Sequence, residues 1–264
     1  YYGVRRKIMK AGVLCSDQRM CQIKNNLSKD FEVISIDEST DWLTLPQLDV
    51  LILPVKGMDT EGNIVIQGKS MHIPSRFWHI QGKEVKLFSG TDVKAPLCHF
   101  SLDCYMNDES VIDENAILTA EGVLSEILEA TNKSIYSTKI DIVGYGHCGK
   151  AIYQMLKNLQ VDVRVIRRNA QKQDDFISYQ DWKECGDIIV HTATGKILEE
   201  KRLLQWEKKP VILDISTPCF FDESFLKSNG IIYKRLGNLP GRFACISAGN
   251  IIANYVRRKV SVER

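Results

Sequence analysis

A chain of 264 residues has room for one large or two medium domains, and 44% hydrophobic with 26% charged residues excludes a disordered tail, a collagen-like repeat and a coiled-coil rod. The 35 Lys and Arg against 33 Asp and Glu leave a formal net charge of +2 with no basic tract interleaved with aromatics, so no nucleic-acid partner is expected. No window approaches the roughly 18 apolar residues that span a bilayer, and Ala11 to Leu14 is too short for a secretion signal, so the expectation is a cytoplasmic chain with no membrane partner.

Strand and helix patterns alternate from the start. Lys7 to Cys15 reads as a strand, Asp17 to Ser28 as a helix, Phe31 to Ile36 as a strand, Asp49 to Val55 as a nearly all-apolar strand and Glu84 to Ser89 as another. Between Asn107 and Thr131, Ile112, Ala116, Ile117, Ala120, Val123, Leu124, Ile127 and Leu128 recur at helical spacing, which predicts one long helix or two abutting ones. A cleaner rhythm follows: strand Lys139 to Val143, helix His147 to Leu159, strands Val161 to Ile166 and Asp187 to His191, helix Lys196 to Gln205, strand Val211 to Ile215, helix Phe221 to Ser228 and strand Ile231 to Lys234. A last helix runs from about Cys245 to Lys259, with Ile251, Ile252, Tyr255 and Val256 on one side.

Short strands joined by helical crossovers are the pattern of parallel sheets covered on both faces. The fold class is therefore α/β, with two doubly wound Rossmann-like lobes joined by the long helix and a crevice between them. Residues 1–130 form the expected substrate-binding, catalytic lobe, residues 131–244 the cofactor lobe, and the helix 245–264 packs back on the first lobe.

The sharpest local signal is Ile140-Asp141-Ile142-Val143-Gly144-Tyr145-Gly146-His147-Cys148-Gly149, a strand running into Gly-x-Gly-x-x-Gly and then a helix. Gly144 permits the tight turn, Gly146 lets backbone approach a pyrophosphate and Gly149 lets helix and strand pack closely, which is the dinucleotide fingerprint. Tyr145, His147 and Cys148 lie inside it, with His147 expected to face phosphate or solvent. At the end of the next strand an NAD site carries an acid for the ribose; this chain has Arg167-Arg168-Asn169, whose guanidinium groups suit a 2′-phosphate. NADP is the expected cofactor and NAD the alternative. The strand ends His191-Thr192-Ala193-Thr194 and Asp214-Ile215-Ser216 should flank the ribose and nicotinamide, because ligands sit at strand C-termini in such sheets. His191 is a candidate for proton handling or a satisfied core imidazole, and Asp214 a cofactor-side group or a turn cap. Eight scattered cysteines without a Cys-x-x-Cys pair read as reduced core thiols. Cys98, His99, Asp103 and Cys104 alone have plausible ligand chemistry; no second pair answers them, so no metal is expected and a buried strand is the competing reading.

The segments Ile52-Leu53-Pro54-Val55, Thr60-Glu61-Gly62, Asn115 to Gly122, the fingerprint, Leu239-Pro240-Gly241 and Ser247 to Asn254 stand in an order and spacing that resembles the A subunit of bacterial dipicolinate synthase over nearly the whole chain. Cys15-Ser16-Asp17-Gln18-Arg19 is similar to that family's first strand-to-helix turn. The resemblance implies an NADP-linked oxidoreductase of spore-forming bacteria, active in the mother-cell cytoplasm. Such an enzyme oxidises dihydrodipicolinate to pyridine-2,6-dicarboxylate with a flavoprotein-like second subunit, and homo-oligomers are compatible with it. Where the family has an arginine after the Leu-Asp strand this chain has Ser216-Thr217-Pro218, and Ile246 replaces a lysine. Lys56 and Arg242 are the replacement cations that sequence offers for a small carboxylate substrate, with Thr60, Asn63 and Ser216 as further contacts. Glu121, in the matched helix segment on an apolar face, is expected to be a buried carboxylate that orients substrate or accepts a proton, against a carboxylate bonded to backbone as the alternative. Two competing readings remain: a dehydrogenase or reductase of another small carboxylate, and an NADP-binding subunit or sensor without turnover.

Overall fold

The computed structural model describes residues 8–82, 84–92, 100–169, 175–195 and 197–262. The chain divides into two compact units, one made of the residues up to Ile112 together with those from Ala244 onward, the other of Asp113–Phe243.

In the first unit, β1 (Lys10–Leu14), β2 (Glu32–Ile36), β3 (Val50–Ile52), β6 (Lys86–Ser89) and β7 (Leu102–Cys104) form a parallel sheet in the order β2-β1-β3-β6-β7. Helix α1 (Gln18–Leu27) starts at Asp17, whose carboxylate accepts from the Met20 N–H at 2.9 Å, and buries Met20, Ile23 and Leu27. It joins Ala11, Val13, Val50, Ile52 and Phe88 on one sheet face with Ile252, Tyr255 and Val256 of the C-terminal helix, α8 (Cys245–Val262). The other face is covered by α2 (Ser75–Gln81), by Trp42 and by a hairpin of β4 (Asn63–Ile66) and β5 (Lys69–His72) that turns in Ile64 and Ile66 and leaves Val65 outside. Neither the hairpin nor α2 is legible in the hydrophobic pattern.

The second unit begins one turn into α3 (Glu109–Ala130), a single helix of 22 residues. Its sheet has six parallel strands in the order β10-β9-β8-β11-β12-β13: β8 (Ile140–Val143), β9 (Val163–Arg167), β10 (Phe176–Ser178), β11 (Ile188–His191), β12 (Val211–Asp214) and β13 (Ile232–Arg235). Alternation along each strand sorts the side chains. Ile140, Ile142, Ile188, Val190 and Leu213 face α3 and α4 (His147–Asn158), while Val143, Ile166, Ile189 and Ile212 face Trp182, Leu203 of α5 (Glu200–Gln205), Trp206 and Leu226 of α6 (Glu223–Ser228). Helix α6 starts two residues later than its apolar pattern predicts, because the Asp222 carboxylate caps it by accepting from the Phe225 N–H at 3.1 Å. The last short helix, α7 (Leu239–Phe243), closes the unit.

One polar residue interrupts the apolar alternation of β8. Asp141 is fully buried and accepts from Arg164 Nε at 2.7 Å and Nη2 at 2.9 Å, from Trp182 Nε1 at 2.9 Å and from the Gly186 N–H at 2.6 Å. Four donors around one buried carboxylate tie β8, β9 and the approach to β11 into one block.

Candidate functional site

The fingerprint glycines separate by what the protein itself requires of them. Gly144, at φ +104°, turns the chain out of β8, and a Cβ there would lie 2.7 Å from Thr192 Oγ1 and 2.9 Å from the Ala193 nitrogen. At Gly149 a Cβ would lie 2.5 Å from the Gly144 carbonyl oxygen, so helix and turn approach too closely for any side chain. Gly146 is different: its φ is −80°, open to any residue, and a Cβ there would meet no neighbouring group within 4 Å. It is also the N-cap of α4, where no side chain closes the first turn, so the helix N-terminus presents backbone N–H groups over an uncovered glycine.

The remaining fingerprint side chains turn elsewhere. Cys148 packs half-buried into the α3 and α4 core, where burial pushes its thiol up against the opposing pull of the Thr119 hydroxyl; its side chain is a packing group. His147 is exposed and its Nδ1 lies 2.7 Å from Asp113 Oδ1. Tyr145 leans on Tyr153 and Phe176, and Arg167, Arg168 and Asn169 follow β9 as an exposed run. Across the turn, Thr192 Oγ1 donates to the Val143 carbonyl at 3.2 Å, Ala193 is buried and Thr194 is exposed.

At the ends of β11 and β12, His191 and Asp214 are partners in register and both fully buried. Imidazole Nδ1 lies 3.1 Å from Asp214 Oδ1, which also accepts from the Ser216 N–H at 2.9 Å. The other oxygen accepts from the Tyr233 hydroxyl at 2.9 Å, from Arg235 Nη1 at 2.6 Å and from the Cys219 thiol at 3.8 Å. Burial by itself would raise this carboxyl, and the donors from His191, Ser216 and Tyr233 outweigh burial to hold it well below the usual range. Burial, Cys219 and Asp214 together push the Tyr233 phenol far up. The His191 ring reaches no solvent, stands 5.0 Å from the Phe221 ring, and its Nε2 has no hydrogen-bond partner among the described residues. The arrangement matches the satisfied imidazole on the Nδ1 side alone. The hydroxyl of Ser216 donates to the Pro218 carbonyl at 3.2 Å, inside its own loop.

Two expectations are corrected on α3 and α7. Glu121 is exposed, and the buried carboxylate of the helix is Glu126, 4% exposed and five residues further on, about 140° around the helix axis. Arg242 Nη2 contacts Glu126 Oε1 at 3.0 Å and Lys234 Nζ lies 3.7 Å from Oε2, so Arg242 is already committed to a carboxylate of its own unit. Sequence reasoning missed Glu126, Tyr233 and Arg235; on β13, Arg235 stands in register with Asp214 and Tyr233 with Ile212, two residues before it on the same face.

In the first unit, the Lys56 side chain is exposed, and its carbonyl accepts from Thr91 Oγ1 at 3.1 Å. Thr60 is exposed in the following turn. Asn63 opens β4 with its amide Nδ2 2.9 Å and its backbone N–H 2.8 Å from the Asp59 carboxylate, which those donors hold below the usual range. Asn63 therefore builds the hairpin entrance. Cys98 and His99 lie outside the described residues, whereas Cys104 ends β7 and Asp103 contacts the Tyr255 hydroxyl and, at 3.8 Å, Lys259. Among the described residues no group of three or more metal-ligating side chains gathers, and no helix is long and apolar enough to cross a membrane.

No family model matches the chain. The A subunit of dipicolinate synthase from Bacillus subtilis (strain 168) is 23% identical over an alignment that covers 95% of this chain and 95% of that protein. The crystal structure of the same subunit from Bacillus halodurans superposes with a TM-score of 0.79 at 18% identity, covering 95% of this chain and 97% of that one. A D-lactate dehydrogenase from Sporolactobacillus sp. superposes with a TM-score of 0.61 at 12% identity, covering 97% and 96%. The resemblance read from the sequence thus extends along the whole chain, and the fold is that of two-domain, Rossmann-like dehydrogenases.

Proposed function

We propose that the chain is an NAD(P)-dependent oxidoreductase, a diverged relative of the dipicolinate synthase A subunit that works on a small carboxylate. The observation that carries this reading is the open Gly146 at an uncapped helix N-terminus, because the protein's own backbone and packing give no reason for a glycine there while a pyrophosphate does. Gly144, Gly146, Gly149 and the first-turn N–H groups of α4 would hold the pyrophosphate, with the exposed Arg167, Arg168 and Asn169 at the ribose end favouring NADP over NAD. Residues Thr192 to Thr194 and the loop after Asp214 would border the nicotinamide. Bound there, the cofactor supplies an acceptor for hydride.

For dihydrodipicolinate, loss of hydride and a proton gives the aromatic pyridine dicarboxylate, and aromatisation supplies the driving force, so the site's task is orientation. Lys56 offers an exposed cation for a carboxylate, and Glu121 is exposed on α3 as a further orienting or proton-accepting group. Asp214 orients the buried His191 and the Ser216 loop. A cytoplasmic, mother-cell setting and a flavoprotein-like second subunit belong to the same reading. Turnover of a different small carboxylate is favoured by one finding: Arg242, Asn63 and Ser216, all expected at the substrate, are bonded within their own units.

The test is to give the purified chain, alone and with a candidate second subunit, NADP and freshly generated dihydrodipicolinate, and to follow reduced nicotinamide by absorbance and the pyridine product by chromatography. Both products are expected. Dinucleotide binding without turnover moves the substrate assignment to another carboxylate, and failure to bind either dinucleotide overturns the oxidoreductase reading itself.

A further inference from the structure

We propose that Tyr145 is a positioning residue for cofactor choice: its ring holds the Arg167 guanidinium beside the fingerprint turn, where it can meet the 2′-phosphate of the dinucleotide. The proposal rests on the reading of the second unit as a dinucleotide site and deepens it. The Arg167 Cζ lies 5.7 Å from the centre of the Tyr145 ring, within the range of a cation–π contact. Tyr145 itself is fixed by two further rings, Phe176 at 5.1 Å and Tyr153 at 5.8 Å, both edge-on. Those rings are anchored in turn. Phe176 is paired in register with Val165 of β9, and the Tyr153 hydroxyl donates to Asp175 Oδ2 at 2.9 Å, an oxygen that also takes Lys157 Nζ at 2.7 Å.

Three observations point this platform at an anion. Among the described residues no carboxylate pairs with Arg167, although it is exposed at the end of the strand where the ribose belongs. The acid next to the aromatic cluster, Asp175, is already matched by Lys157 and Tyr153. A guanidinium drawn to a ring by cation–π attraction still has its N–H groups for bidentate recognition of a phosphate. Without the ring, Arg167 is a long solvated chain that must be ordered each time it binds.

Calorimetric titration of the full chain with adenosine 2′,5′-bisphosphate and with AMP separates the 2′-phosphate from the rest of the nucleotide. The wild-type chain is expected to favour the 2′-phosphorylated probe by roughly tenfold or more, as a charge-assisted bidentate contact does. Tyr145→Leu should reduce that preference by roughly two- to fivefold while AMP binding stays the same, and Tyr145→Phe, which keeps the ring, should restore it. Arg167→Lys, which leaves the aromatic cluster intact, should lose the preference as well. A preference that survives Tyr145→Leu, or one that survives Arg167→Lys, overturns the proposal, as does a parallel loss of both probes in Tyr145→Leu, which would make the ring a packing group for the whole turn. A wild-type chain that binds the two probes alike also overturns it and leaves a dinucleotide site without phosphate preference. Failure of both probes to bind the wild-type chain overturns the dinucleotide reading beneath it.

Discussion

Asp141 and Asp214 sit on the same face of one sheet, both fully buried and both ringed by donors, yet they stand at different places along their strands. Asp141 lies within β8 and its donors are an arginine, which also reaches the Glu184 carbonyl at 3.2 Å, an indole and a backbone N–H. Asp214 is the last residue of β12, and its donors come from β11, β13 and the loop that follows it: His191, Tyr233, Cys219 and an Arg235 side chain that is 36% exposed. A saturated buried carboxylate is therefore no mark of chemistry by itself. Position along the strand decides, because the C-terminal ends are where a doubly wound sheet meets its ligand.

Three kinds of substitution would undo that contrast or make it quantitative. The largest effect is expected at Asp141→Asn, which leaves Arg164 uncompensated and costs about 3–5 kcal/mol in urea unfolding. An equal or smaller loss than at Asp214 would remove the distinction. Asp214→Asn should cost less, about 1–3 kcal/mol, since Arg235 can turn to solvent. It also has a pH signature. The folded-state carboxyl titrates far below its unfolded value of about 4, so its contribution is fully present above that pH and is lost as the pH falls below it. Wild type should therefore lose stability in acid more steeply than Asp214→Asn when midpoints are compared down the pH scale. The smallest effects separate the two glutamates of α3: Glu126→Gln should lower stability by about 1 kcal/mol through its two cations, and Glu121→Gln should stay within about 0.5 kcal/mol, as thermal melts would show.

The pattern of residues carried most of the second unit, because buried parallel strands such as Ile188–His191 and Val211–Asp214 are short apolar runs and the glycine turn has a fixed spacing. It failed where contacts are long-range. The Glu121 expectation rested on apolar neighbours in sequence, whereas burial on a helix follows the phase that meets β13 and α7, and that phase favours Glu126. The hairpin β4–β5 is invisible because its outward residues Asn63, Val65, Ser70 and His72 mix with Gly68 and Lys69 into what reads as a polar loop. The network on Asp214 draws donors from β11, β13 and the following loop, and no single stretch of sequence contains it.

The first unit is assembled from the two ends of the chain, with Ile252, Ala253, Tyr255, Val256 and Val260 of α8 completing a core that α1, β1 and β3 begin. A ribosome delivers those five side chains last. Throughout synthesis of Asp113–Phe243, which is continuous in sequence and can close its own core, the apolar face of the earlier strands waits without its cover. The unit made first is thus the one finished last, and a nascent chain halted short of α8 carries that open face as its characteristic hazard.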